Sequence, residues 1–269
     1  MQGRTHGARF MAALFAMFLV VSHMPGGASA APPQGDLAAL DLLATRLQAA
    51  GASQSAIDGV FAQHGLVRAD AGANGEVTPL ASSSNDIILG QPTIYYDEKK
   101  DAWLARATFA WRHNCSSAYY KSACEQKDCP LPIGSTAPCG GPDGFGLRVN
   151  HDVNEYLTHF YTYDVNGYQW TWSYPEAMNE YGASWTEQDS STAQHAYNWD
   201  QGSLYYWFYL NGCTKGVPFK IYPEISHTWA STSVTGFSIF LGGFAITWSN
   251  DANHWQATAP GPTYWYPCG

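Results

Sequence analysis

The sequence has no cluster of lysine or arginine anywhere along its length, and its 13 basic residues are outnumbered by 22 acidic ones, for a formal net charge of −9. That removes the electrostatic footprint on which nucleic-acid binders rely, and attraction to anionic headgroups by charge alone. Also absent are an H-E-x-x-H helix, a Walker loop, a dinucleotide fingerprint and a G-x-S-x-G elbow. No two cysteines form a C-x-x-C knuckle, which argues against structural zinc. No repeat of fixed period is present, which argues against a propeller or solenoid. Beyond the first 30 residues no apolar run approaches the roughly eighteen residues of a membrane-spanning helix, so no stable anchor is expected.

What is present begins with Arg4 and Arg9, the apolar run Phe10 to Val21, and the triplet Ala28, Ser29, Ala30. This is the pattern of a signal peptide over residues 1–30, with cleavage expected after Ala30. Cleavage removes two basic residues and no acidic ones, leaving 11 basic against 22 acidic residues, a net charge of −11. The expected location is secreted, extracellular. The six cysteines Cys115, Cys124, Cys129, Cys139, Cys213 and Cys268 all survive cleavage. An even count in an exported chain predicts three disulfides, with two local bridges among the first four and Cys213 to Cys268 as a long-range staple.

Only 13% of residues are charged while 15% are aromatic, including 11 Trp and 17 Tyr, and 26 Gly and 15 Pro supply turns. This composition favours strands. Leu37, Leu40, Leu43 and Leu47 recur at helical spacing between Asp36 and Gly51, and a second helix is expected up to His64. Residues 31–68 therefore read as a helical hairpin, either a leader or pro-segment removed after export or an ordinary subdomain of the mature fold. Residues 69–84 read as a flexible linker.

Residues 85–269 read as an all-β domain. Strands are expected at 93–96 and 102–111, at 145–149, and at 155–163 turning through Asn166-Gly167 into 168–172. Others follow at 203–210 and 217–221, with a glycine-centred hairpin at 234–249. The predicted fold class is mainly β, an antiparallel two-sheet sandwich preceded by a short helical hairpin, with a closed β barrel as the runner-up. The 234–249 hairpin, apolar or small on both faces, is expected to be buried and central.

Three constellations bear on chemistry. His151, Glu155 and His159, spaced four apart, would share one face of a helix and could ligate a divalent metal. The residues after Glu155 alternate as a strand does, however, so no metal and no cofactor is expected. Glu187 and Asp189 lie beside Trp185 in a segment offering the carboxyl groups that glycoside hydrolysis requires. Finally, Trp170, Trp172, Trp185 and Trp199 are candidate stacking surfaces for sugar rings, since so many aromatics exceed what a core needs.

The expected function is a secreted, non-catalytic β-sandwich that binds extracellular glycan or cell-wall material through exposed aromatic residues. Three alternatives stay open: a glycan hydrolase, a membrane-active or antibacterial effector working through the 234–249 hairpin, and a protease inhibitor using the cysteine-rich loop 112–142.

Overall fold

A computed structural model of the chain describes residues 34–69, 80–81, 87–111, 136–192, 196–228, 231–259 and 261–268. The expected signal peptide, most of the 69–84 stretch, and Cys115, Cys124 and Cys129 lie outside the described residues.

Two helices lead, α1 (Gln34–Ala49) and α2 (Gln54–Gln63). Gly51, at φ +75°, lets the chain reverse between them. The Ser53 hydroxyl caps α2 by accepting from the Ala56 amide. The first strands are β1 (Leu66–Arg68), β2 (Leu80–Ala81), β3 (Ile87–Leu89), β4 (Thr93–Asp97), β5 (Ala102–Trp111), β6 (Ala137–Pro138) and β7 (Asp143–Val149). Then come β8 (Val153–Tyr163), β9 (Gln169–Trp172), β10 (Ala177–Asn179), β11 (Gly182–Glu187), β12 (Ser190–Thr192), β13 (Ala196–Tyr197) and β14 (Gln201–Leu210). The chain finishes with β15 (Phe219–Thr228), β16 (Val234–Phe240), β17 (Gly243–Trp248), β18 (His254–Thr258) and β19 (Thr263–Trp265).

All the strand pairings are antiparallel, and no barrel closes among the described residues. The first sheet runs β1-β4-β5-β14-β8-β9, with β3 also on β5 and β2 on β3. Leu80 and Ala81, inside the stretch read as linker, are thus strand-paired. The second sheet runs β10-β11-β7-β15-β18, with β19 also on β15. Strand alternation decides what fills the space between them. Phe109 and Phe160 from the first sheet meet Phe145 and Trp185 from the second, with Trp199 against both Phe109 and Phe160 at 5.5 and 5.4 Å between ring centroids. All five rings are buried, each contributing ~1.5–3 kcal/mol of hydrophobic stabilisation.

Each sheet is also covered on its outer face. The helices lie on the first sheet, where Leu40, Ala44, Ile57 and Phe61 pack with Tyr95, Leu104, Tyr205 and Trp207. The β16–β17 hairpin packs on the second. The expectation of a central, doubly buried hairpin is therefore corrected. A register shift between Val234 and Gly236 brings Val234 onto the same face as Phe237 and Ile239, so one face is buried and the other open. The close seat is made by glycine: a Cβ on Gly144 would lie 2.6 Å from Phe237, and one on Gly146 2.9 Å from Phe244.

Cys213 and Cys268 are bridged, as expected, with Cα atoms 6.0 Å apart. Cys139 is also disulfide-bonded, to a partner outside the described residues. These bonds suit an oxidising compartment. No described helix is long and apolar enough to cross a membrane.

Under the helices sits a buried ionic group. Asp41, in the apolar stripe of α1, is fully buried and takes the Arg106 guanidinium at 3.0 Å together with the hydroxyls of Tyr163 and Tyr205. Arg106 also donates to Tyr205 Oη at 2.9 Å and to Ser203 Oγ at 3.1 Å. Burial works against the Arg106 charge, but Tyr205 and Asp41 more than offset it and hold the group protonated. Removing one partner strands the other in a low-dielectric site. Asp41→Ala is therefore expected to cost ~3–5 kcal/mol in urea unfolding, while Leu43→Ala, on the exposed side of the same helix, should change stability by under ~0.5 kcal/mol. Equal effects would show that the ionic group does not hold the helices down.

Candidate functional site

The end of the sandwich where β5 finishes and β7 begins gathers the polar side chains. Asp143 opens β7, Asp189 lies between β11 and β12, and His227 stands near the end of β15. All three are buried. His227 Nδ1 meets Asp143 Oδ2 at 2.8 Å, and the other oxygen of Asp143 accepts from the Thr228 amide at 2.8 Å. Asp189 Oδ2 accepts from the Tyr197 hydroxyl at 3.2 Å, and its backbone carbonyl takes the Cys139 amide. Burial first, then Asp189 and Asp143, push Tyr197 well above the ordinary phenol range, so it remains a neutral donor. The indoles of Trp111 and Trp255 flank the imidazole at 5.0 and 5.4 Å.

Asp143, Asp189 and His227 each offer a ligand-type atom, and these atoms lie within 4.8 Å of one another, the one such trio among the described residues. Two carboxylates and an imidazole are a donor set suited to a divalent cation. With an aspartate on Nδ1, the imidazole is also oriented as a general base would be. Every member is buried among aromatic rings, which also suits a polar network that ties β7, β15 and the root of the cysteine-rich loop together.

The expected metal candidates do not assemble. His151 precedes β8 and stacks on Phe219 at 4.3 Å. Glu155 is exposed beside the β-bulge at Trp207–Phe208. His159 leans on Trp207 at 5.6 Å, and burial followed by Lys100 lowers its pKa to about 4. On a strand, four residues span ~13 Å, so the regular spacing separates these groups instead of converging them.

The two expected acids part company. Asp189 belongs to the buried trio. Glu187 is half-buried at the end of β11, where burial and the neighbouring Glu176 raise its pKa to about 7.

The four tryptophans also divide. Trp185 and Trp199 are 0% exposed and belong to the core, because the pleats of β11 and the loop before β14 turn them inward. The expectation that they stack on a ligand is corrected accordingly. Trp170 and Trp172 lie on β9, the edge strand of the first sheet, and are partly exposed. Trp172 donates from its indole to Thr162 Oγ1 at 2.9 Å and leans on the core. Trp170 pairs edge-to-face with Tyr168 at 4.7 Å, and Tyr174, just beyond the strand, is 85% exposed. Strand pairing puts Trp170 opposite Thr162 and Glu187 opposite Asp143, so both lie toward the polar end.

Asp143, Tyr197, Tyr168 and Tyr174 had no motif to announce them, and His227 beside Trp229 reads in sequence as a histidine able to assist a serine or an acid, or more simply as one at a strand end. No protein-family profile, characterised protein or solved structure matches the chain.

Glu187 and Glu224 both have pKa values raised from 4.5 to about 7, chiefly by burial. The folded state then binds protons more tightly than the unfolded state, so stability is greatest below about pH 4.5 with respect to these groups and declines as pH rises toward 7. Glu187→Gln and Glu224→Gln are each expected to reduce the drop in melting temperature between pH 5 and pH 8. An unchanged drop in both variants would contradict the assignment.

Proposed function

We propose that this is a secreted protein that binds extracellular glycan or cell-wall material, without chemistry, through the aromatic edge at β9. The observation that carries the reading is Trp170 on the edge strand β9, paired edge-to-face with Tyr168 just before the strand, and the largely exposed Tyr174 just after it. Partly exposed rings offer apolar surface at little conformational cost, and sugar rings present matching C–H faces. The acidic body carries no basic stripe, which turns the reading away from polyanions. The N-terminal signal pattern and the bridged cysteines support an extracellular setting.

One observation favours a second reading, glycan hydrolysis. Glu187, at about pKa 7 beside Glu176, has the protonation range of a general acid near neutrality. In this reading Glu176 or a water serves opposite it, and Asp189 acts through the buried trio.

Co-sedimentation of the mature chain with insoluble polysaccharides and with isolated cell walls tests both readings. Depletion without release of soluble sugar, weakened ~10-fold by Trp170→Ala and untouched by Glu187→Gln, is the expected result. Sugar release that Glu187→Gln abolishes would replace binding by hydrolysis. If neither pellet depletes the protein, the glycan reading fails.

A further inference from the structure

The β16–β17 hairpin ends in an apolar tip whose exposure the glycan reading does not use. Phe240 and Leu241 are 47% and 54% exposed at the turn, and Gly242 and Gly243 follow. Between His227 and Asp251 there is no charged side chain, in a protein that is otherwise strongly acidic. Along β17 the partly buried Phe244, Ile246 and Trp248 alternate with the exposed Ala245 and Thr247, so the ribbon is amphipathic once its bulge is taken into account.

Strand β16 of this ribbon is hydrogen-bonded along both edges. Toward β17 it is paired up to Phe240–Gly243, which closes a two-residue turn. Toward the second sheet, successive outward carbonyls of Phe237, Ile239 and Leu241 accept from Ser184 Oγ (2.7 Å), Asn179 Nδ2 (3.0 Å) and Arg148 Nη1 (2.9 Å). Arg148 is itself buried, with its guanidinium over the rings of Tyr222 and Phe244. The carbonyl of the first turn residue, Leu241, is thereby hydrogen-bonded from within the protein. A tip whose own residues carry no charge, and whose Leu241 carbonyl is already hydrogen-bonded, exposes few polar groups to the apolar side of an interface.

We propose that the Phe240–Leu241 tip is a shallow membrane anchor that inserts into the interface of electrically neutral, zwitterionic lipid. Its strands of seven and six residues are shorter than the ~9–11 residues that cross a bilayer, so the hairpin dips without spanning. The acidic body is repelled by anionic headgroups, which selects neutral lipid as the fitting surface. Two half-exposed side chains give weak, reversible attachment, comparable in kind to a single short lipid chain.

The test is flotation of the mature protein with phosphatidylcholine vesicles, compared with vesicles containing anionic lipid. The expected result is measurable partition into the neutral vesicles, less into the anionic ones, and a ~10-fold or greater loss in a Phe240→Ser, Leu241→Ser double variant. Tyr266→Ser, at an exposed aromatic elsewhere, should leave partition unchanged. Far-ultraviolet circular dichroism and melting temperature monitor folding, and serines at solvent-facing positions should leave both unaltered. The proposal is overturned by absence of partition, by partition that survives the double serine change, or by stronger binding to anionic vesicles. Self-association in sedimentation velocity that the double variant abolishes, without vesicle binding, would reassign the tip to contact with a second copy of the chain.

Discussion

The layer of rings between the two sheets is the constraint on which the rest of the structure depends. Phe145 and Phe160 sit 5.9 Å apart across the interface, with Trp185 and Trp199 around them. Because a strand's side chains alternate, fixing those rings inward fixes every neighbouring residue outward. Gly144, Gly146 and Arg148 must then face away from the core on β7, where they accept the hairpin. On β14 the same logic turns Tyr205 and Trp207 toward the helices. The outer layers are therefore consequences of the inner one.

Polar groups follow the same geometry. The two buried networks lie where alternation and strand ends place donors opposite acceptors: Asp41 with Arg106 beneath the helices, and Asp143 with Asp189 and His227 at the end of the sandwich. In both, hydrogen-bond donors surround carboxylates that would be costly to bury alone. The first joins a helix to a strand 65 residues away, and the second joins β15 to the start of β7, 84 residues away. They specify which surfaces meet more sharply than hydrophobic contact does.

Much of the fold was legible because its signals are local. Leucine spacing marked α1, Asn166-Gly167 marked the β8–β9 turn, and the β-rich runs 93–96 and 102–111 marked the β4–β5 hairpin. What escaped is non-local. Asp41 sits among leucines at a stripe position, and only Arg106, far along the chain, explains it. A single bulge at the start of β16 moved Val234 to the other face, and strand alternation read from sequence has no means of seeing it. Trp185 and Trp199 resembled Trp170 and Trp172 in composition, and only sheet position separates core from edge. The polar trio draws its members from three distant segments, none of which carries a motif.

The Cys213–Cys268 bridge, with a sequence separation of 55, closes a covalent ring containing β15 to β19. Loop closure of that size limits the unfolded chain by an amount equivalent to about 4 kcal/mol. It also redirects mechanical load. Tension applied between the two ends of the protein passes from Cys213 to Cys268 through the sulfur atoms, bypassing the strands in between. A protease that nicks the hairpin tip likewise leaves two pieces that remain one molecule. The hairpin can thus be pulled or cut without the second sheet losing β18 and β19.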